Sequence, residues 1–469
     1  MSAPTSHDAS VAPMTLEDLP DELIELCLQD LDKSCLRNLR LVNRFLAPRA
    51  TKYLYRHLSV QFTRRGVKNC FLIMKHERLN PLVNRLTIIP SAEPVPDPYM
   101  SRNEGGAKLS KGCKRLLRDI SRFRSLQSVE VKFLIECAAA YLPTDFVEWR
   151  VWETVGFRSE VLMGLVQGLN SEEHPATKVH DLTISNLQDV VDTTLASSKD
   201  YKAVMLRLDS LSLHIVSETD EYTIHPDFYL PEPYRFFGND LRQYWLEPTR
   251  DKLKHLTLHY REKPWAYLPH CNLPGLHFPS LKSLSLSRMT FTHEWQVDWI
   301  TSHGSTLTSL TLEDCPIAHG AFIAMPLRAD RYPALEPCES ARNDVSRCGE
   351  WKYDLRWHHC FQRLNEGLAH LRHIAVTYEP WRPGDTLFEV TADSSARVAV
   401  QRYCIFDQDN KGNMWIKPVP GSWSQEDVAA GTAGLRYHCN WKRPPPYPDC
   451  EHEDLEALEE LLEAVRGRS

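Results

Sequence analysis

The stretch LTSLTLEDCPI, residues 307–317, carries the reading of the fold. Apolar side chains stand at Leu307, Leu310 and Leu312, and the last two alternate with polar neighbours as a strand with one buried face requires. The frame apolar-x-x-apolar-x-apolar returns at Val83 (VNRLTI), Leu126 (LQSVEV), Val179 (VHDLTI), Leu208 (LDSLSL), Leu253 (LKHLTL), Leu281 (LKSLSL) and Leu371 (LRHIAV). Segments between copies have helical spacing, most clearly 109–123, 160–169, 293–303 and 355–370. Strands this far apart cannot form hairpins, so the repeated order of strand then helix predicts an α/β chain of parallel strands joined by crossovers.

The run Leu307-x-x-Leu310-x-Leu312-x-x-Cys315-x-Ile317 resembles the leucine-rich repeat template, including its Asn or Cys position. The resemblance implies a solenoid whose strand–helix units are stable only when stacked, and an inward Cys315 that bonds backbone at the strand's end. From 253 to 281 to 307 the copies step by 28 and 26 residues, within the repeat family's range. Elsewhere the steps are 29, 43, 45, 53 and 64 residues, so the array is irregular and carries insertions. Two of these, 91–107 and 324–349, are rich in Pro with Gly or Arg and are expected as loops on one rim.

Ahead of the array, residues 1–13 are Ser-, Ala- and Pro-rich and expected to be disordered, and 14–60 reads as a helical unit. Apolar residues at Leu23, Ile24, Cys27, Leu28 and Leu31 share a helical spacing, with Pro20 at the helix start and Asp21 and Glu22 at the positive end of its dipole. Ser34 is expected to cap a second helix with Leu36, Leu39, Val42 and Phe45, and Pro48 to open a third with Tyr53, Leu54 and Leu58. The order Leu19-Pro20-x-Glu22-Leu23-Ile24, Leu28, Leu31-Asp32, Leu36 and Leu39-x-x-Val42-x-Arg44-Phe45 resembles the F-box motif, with Phe45 where the family often has Trp. That resemblance implies docking to the Skp-type adaptor of a cullin–RING ubiquitin ligase. It places Leu19, Pro20, Ile24, Leu28, Leu36, Val42 and Phe45 on the adaptor face.

With 42% apolar and 25% charged residues in 469, the chain has the make-up of a soluble globular protein. Its net charge of −7 gives no reason to expect nucleic-acid binding. The sign is uneven: 14–32 holds seven acids and no Lys or Arg, while 33–80 holds twelve Lys or Arg against Glu77 alone. That basic run reads either as a solvated helix face or as a basic surface for an adaptor or substrate. Thirteen scattered cysteines without a CxxC fit a reducing compartment, and Cys27, Cys70 and Cys137 fall in apolar patterns. The sequence contains no run of 18 apolar residues and no secretion signal, so the expectation is an intracellular protein, cytoplasmic or nuclear, without a membrane span.

The array is expected over 61–378, with a loop-rich 379–450 and an acidic helix in 451–469 after it. Residues 398–406 and 413–418 read as a β-hairpin, near Trp415, Trp423 and Trp441. The stripe Leu455, Leu458, Leu461, Leu462 and Val465 is expected to dock as a cap, with partner binding as the alternative.

No phosphate loop, nucleophile elbow or HExxH zinc helix is present, so no catalytic residue or cofactor is expected. Ser302-His303-Gly304-Ser305 looks like a catalytic fragment, but Gly304 is better read as a helix stop. Cys338, Cys348, His358, His359 and Cys360 match no common zinc spacing, and no metal is expected.

The positive expectation is a recognition surface made by the residues that alternate with the inward pairs. These are Asp181, Thr183 and Ser185, then Ser210, Ser212 and His214, then His255, Thr257 and His259, then Ser283, Ser285 and Ser287, then Ser309, Thr311 and Glu313. Within it, Thr183, Ser212, His255, Thr257, His259, Ser285, Thr311 and Glu313 are the expected substrate contacts. Trp265, Tyr267, Trp295 and Trp299 are either its aromatic anchors or core. The function expected from the resemblances is a non-catalytic substrate receptor of an SCF-type ligase, bound to a Skp-type adaptor, through it to a cullin, and to a target protein. A non-ligase repeat scaffold is the alternative.

Overall fold

A computed structural model of the chain describes residues 19–42, 44–91, 108–135, 137, 153–171, 178–218, 231–261, 264–323, 329, 332, 349–378, 388–399, 402–409, 412–416 and 447–468. The expected disorder of 1–13, nearly all of both insertions, Cys338, Cys348, Trp423 and Trp441 lie outside those residues.

Three short helices come first, α1 (Asp21–Gln29), α2 (Lys33–Val42) and α3 (Leu46–Arg56). Asp32, not Ser34, caps α2: its carboxylate accepts from the N–H groups of Cys35 (2.8 Å) and Ser34 (2.7 Å), and these bonds hold its pKa below the ordinary value. Pro48 sits within the first turn of α3, where no intrahelical partner exists for an N–H in any case. Leu58 belongs to a strand instead of this helix.

That strand, β1 (His57–Gln61), follows α3 directly. Then come α4 (Arg64–Lys75), β2 (Arg85–Ile89), α5 (Lys111–Asp119), β3 (Ser128–Lys132), α6 (Val155–Leu169), β4 (Asp181–Gln188), α7 (Thr193–Ser197), α8 (Lys199–Met205) and β5 (Ser210–Val216). The middle holds α9 (Pro231–Arg235), a π-helical segment Phe236–Leu246, β6 (His255–Tyr260), β7 (Ser283–Ser287), α10 (Glu294–Thr301) and β8 (Ser309–Glu313). The rest is β9 (Ile317–Ile323), β10 (Gly349–Lys352), α11 (Trp357–Gly367), β11 (His373–Tyr378), β12 (Phe388–Thr391), β13 (Tyr403–Asp409), β14 (Gly412–Ile416) and α12 (Glu451–Arg468).

Ten strands form one open sheet in the order β1-β2-β3-β4-β5-β6-β7-β8-β11-β12, parallel throughout except for β12 at its edge. The chain is therefore mixed α/β with a large, mostly parallel sheet. All eight copies of the frame supply strands of it. The first apolar residue of each copy is buried just before its strand, and the carbonyl after it accepts two N–H groups from the next copy. Asn84, for example, accepts from Gln127 and Ser128, and Lys282 from Thr308 and Ser309. The inner pairs, such as Leu86 with Ile88 and Leu310 with Leu312, join the helices in a core that runs from Val60 to Val465. Each such side chain contributes roughly 1.5–3 kcal/mol of burial.

Two glycines set how closely the helix layer packs. A Cβ on Gly168 of α6 would lie 1.9 Å from the carbonyl oxygen of Leu117 in α5, and one on Gly304 would lie 1.9 Å from that of Gly367. Close approach, not helix termination, is therefore what Gly304 serves. Gly168→Ala is expected to cost about 1–3 kcal/mol in urea unfolding because backbone must shift. Gly467→Ala, with nothing within 4 Å of its Cβ, is the control and should be neutral or slightly stabilising.

A second sheet, β10-β9-β13-β14, contains the hairpin at 403–416. It is built on β9, which is buried at every position and pairs in parallel with β13. Helix α12 docks on α11 through Leu458, Leu461, Leu462 and Val465. Among the described residues no helix is long and apolar enough to cross a membrane.

Candidate functional site

Strand periodicity puts every second side chain of the large sheet opposite the helices. Parallel register then lines those side chains up from strand to strand. One row runs Ser59, Thr87, Glu130, Thr183, Ser212, Thr257, Ser285, Thr311 and Ala375. A second contains Asp181, Ser210, His255, Ser283, Ser309 and His373, and a third Ser185, His214, His259, Ser287 and Glu313. All eight expected contact residues thus lie on one face of five adjacent strands. His255 is exposed, most of the others are half-buried between neighbouring strands, and Thr183 is buried.

Polar groups on this face hold one another. His57 Nε2 lies 2.7 Å from Thr87 Oγ1, the Thr87 hydroxyl donates to Glu130 (2.9 Å), and Ser185 Oγ donates to the same carboxylate (3.2 Å). Ser212 Oγ is 3.2 Å from His214 Nε2, and the His214 and His259 rings are 5.2 Å apart. Burial, followed by cationic neighbours, lowers the pKa of His57 and, with Arg261, that of His214. His57 and Glu130 were not among the expected residues. The alternation in LQSVEV was the signal for Glu130, while His57 was hidden because its strand was read as helix.

The proposed aromatic anchors are core. Trp265, Tyr267 and Trp299 are buried, with Trp265 Nε1 donating to the Ser287 carbonyl and Trp299 Nε1 to that of Leu276, both at 2.8 Å. Trp295 is half-buried and donates to Tyr332 Oη at 3.0 Å. Indole N–H groups taken by internal acceptors leave no donor for a ligand.

The N-terminal helices divide the residues expected on an adaptor face, with Pro20 and Val42 exposed and others turned inward. Ile24, Leu28 and Leu36, expected on an adaptor face, instead form the unit's own core with Leu46 and Ala50, and Leu19 and Phe45 pack against it. This cluster is separate from the main core. Ion pairs Arg49–Asp21 (2.6 Å) and Lys52–Glu25 (2.5 Å) tie α3 to α1, and Arg49 lies 4.0 Å from the centre of the Phe45 ring. With that stripe used internally, Leu23, Leu26, Leu31, Leu41 and Val42 are left exposed, Leu41 at 86%, and Pro20 is exposed too. Cys27 is also exposed.

Two groups with catalytic or metal chemistry are structural. His303 is completely buried: it accepts the Phe278 N–H at Nε2 (3.2 Å), and its Nδ1 faces the Ile300 carbonyl. His358, Cys450 and Asp454 bring possible ligand atoms within 4.8 Å of one another, a grouping that sequence spacing did not reveal. The Asp454 carboxylate, however, already accepts from Arg402 Nε (3.0 Å), Tyr403 Oη (2.9 Å) and His358 Nδ1–H (2.9 Å). A buried guanidinium opposes a cation there, and burial raises the Cys450 thiol pKa, which opposes thiolate ligation. No family model and no curated protein matches the chain.

Proposed function

We propose that the chain is the substrate-recognition subunit of an SCF-type ubiquitin ligase, with its first helices docking a Skp-type adaptor and its strand face holding a target protein. The observation that carries this reading is the N-terminal unit: it fills its own core and still leaves five large apolar side chains in solvent. Exposed apolar groups gathered on a small helical unit favour a protein partner. Strands stacked in chain order, with in-register polar rows, are compatible with a leucine-rich-repeat-like solenoid, an architecture that suits protein recognition. In this reading the chain does no bond chemistry. It raises the local concentration of the target near a ubiquitin-charged enzyme in the intracellular compartment where the ligase acts.

Of the adaptor contacts first expected, Pro20 and Val42 are exposed and are kept, while Leu23, Leu26, Leu31 and Leu41 take the place of the buried Ile24, Leu28 and Leu36. Affinity purification of the tagged full chain is expected to recover adaptor and cullin together. Leu26→Asp with Leu41→Asp should lower adaptor affinity about thirtyfold or more, the loss typical of an interface anchor, without moving the thermal midpoint. Recovery of neither protein with the unaltered chain would leave the non-ligase scaffold as the better reading.

A further inference from the structure

On the helix layer beside the first strands, α4 and α5 leave a cleft of about 1030 Å³ between them. Helix α4 turns Val67, Cys70 and Met74 into the core, which leaves Phe71 half-buried along the cleft and Leu72 59% exposed at its edge. Around this apolar lining stand six cations and one carboxylate, Asp119. Asp119 is shared by Arg115 (3.5 Å) and Arg122 (3.6 Å). The side chains of Arg64, Lys68, Lys75 and Arg124 have no acidic partner among the described residues and are exposed. Positive charge is thus concentrated here in a chain whose net charge is −7. Arg64, Lys68 and Lys75 come from the basic run noted at 33–80, and α5 and the turn after it supply the other three.

We propose that this cleft binds an acidic peptide segment of a partner protein, one that carries an apolar side chain among its carboxylates. Unpaired cations around a concave apolar lining match that chemistry, with charge guiding encounter and the apolar group seated against Phe71 and Leu72. A nucleic acid suits the cleft less well. The Phe71 ring already has the Arg115 guanidinium 5.6 Å from its centre instead of an open face for a base. The proposal stands whether or not the first helices dock an adaptor.

The test is fluorescence anisotropy on the full chain, using a short fluorescein-labelled peptide of Glu and Asp flanking one Leu. Saturable binding is expected, weakening severalfold between about 50 and about 200 mM salt as charges are screened. Lys68→Glu with Lys75→Glu, both exposed and unpaired, should weaken it about tenfold or more, whereas Lys199→Glu on α8 should not. With the unaltered chain, replacing the peptide's Leu by Gly should also weaken binding, a readout that needs no variant to fold. No saturation up to about 1 mM peptide, or equal affinity for the Gly peptide, would overturn the proposal. So would tighter binding of an equally charged single-stranded oligonucleotide that is lost in the same double variant.

Discussion

Asp454→Ala is expected to lower the unfolding free energy by about 3–5 kcal/mol, because it strands a buried charge and several buried donors at once. Asp454 and Arg402 are both buried, at 0% and 5% exposure. The carboxylate joins three elements: the backbone N–H and Nδ1 of His358 at the start of α11, Arg402 and Tyr403 at the start of β13, and α12, on which it stands. Tyr403 Oη in turn accepts the Trp357 N–H at 2.9 Å, and Trp357 Nε1 donates to the Arg402 carbonyl at 2.8 Å. Among the described residues, removing the acceptor leaves the guanidinium hydrogen-bonded only to Tyr447 Oη, at 3.2 Å. Asp454→Asn tests charge apart from volume: the amide keeps the shape but supplies one acceptor oxygen where two are used, so most of the loss should remain. Urea unfolding monitored by circular dichroism reads the loss, and hydrogen exchange along α12 should rise in the same variants. Glu453→Ala, one residue away and exposed, should fall within about 0.5 kcal/mol of the unaltered chain. A loss below about 1 kcal/mol for Asp454→Ala would mean that the cluster does not hold α12 in place.

That cluster also shows where a sequence stops being readable. His358, Arg402 and Asp454 are far apart along the chain, and nothing in their local spacing links them. Eight of the large sheet's ten strands were readable because each carries its own signal, an apolar residue at the strand's mouth followed by two that alternate. Alternation also determines which residues point away from the core, so the polar rows follow from the strands once their register is parallel. The three N-terminal helices were readable too, but which stripe of α1 turns inward was not, for the opposite reason. Apolar residues at 23, 24, 26, 27, 28 and 31 surround most of α1, and helical spacing alone cannot say which stripe turns inward. Packing against Leu36 and Leu46 selected Ile24 and Leu28. In the same way Leu58, four residues after Leu54, matched a helical stripe while belonging to β1. β9 is buried throughout and has no polar alternation to announce it, and the π-helical 236–246 has a period that neither template describes.

Acidification from pH 6.5 to 4 is expected to destabilise the chain, with His303 alone contributing about 3 kcal/mol across that window. Its imidazole is completely buried, and its pKa is pushed down to about 4 from an ordinary 6.5, first by burial and then by His277, whose ring stacks on it at 5.0 Å. Well above pH 6.5 the ring is neutral in both folded and unfolded chains and adds no pH dependence. Between 6.5 and about 4 the unfolded chain takes up a proton that the folded chain refuses, so stability falls as pH falls. Protonation would also turn Nε2 from the acceptor of the Phe278 N–H into a donor facing a donor. His319, lowered to about 3 by burial and by Arg356, acts in the same direction. In His303→Gln the side-chain carbonyl can still accept from Phe278 but cannot be protonated in this range. Urea midpoints measured at intervals from pH 7 to pH 4 should therefore fall less steeply in the variant, with His319 and the carboxylates supplying the slope that remains. Parallel curves for the two proteins would show that His303 takes up its proton equally in both states, and the buried acceptor role would have to be abandoned.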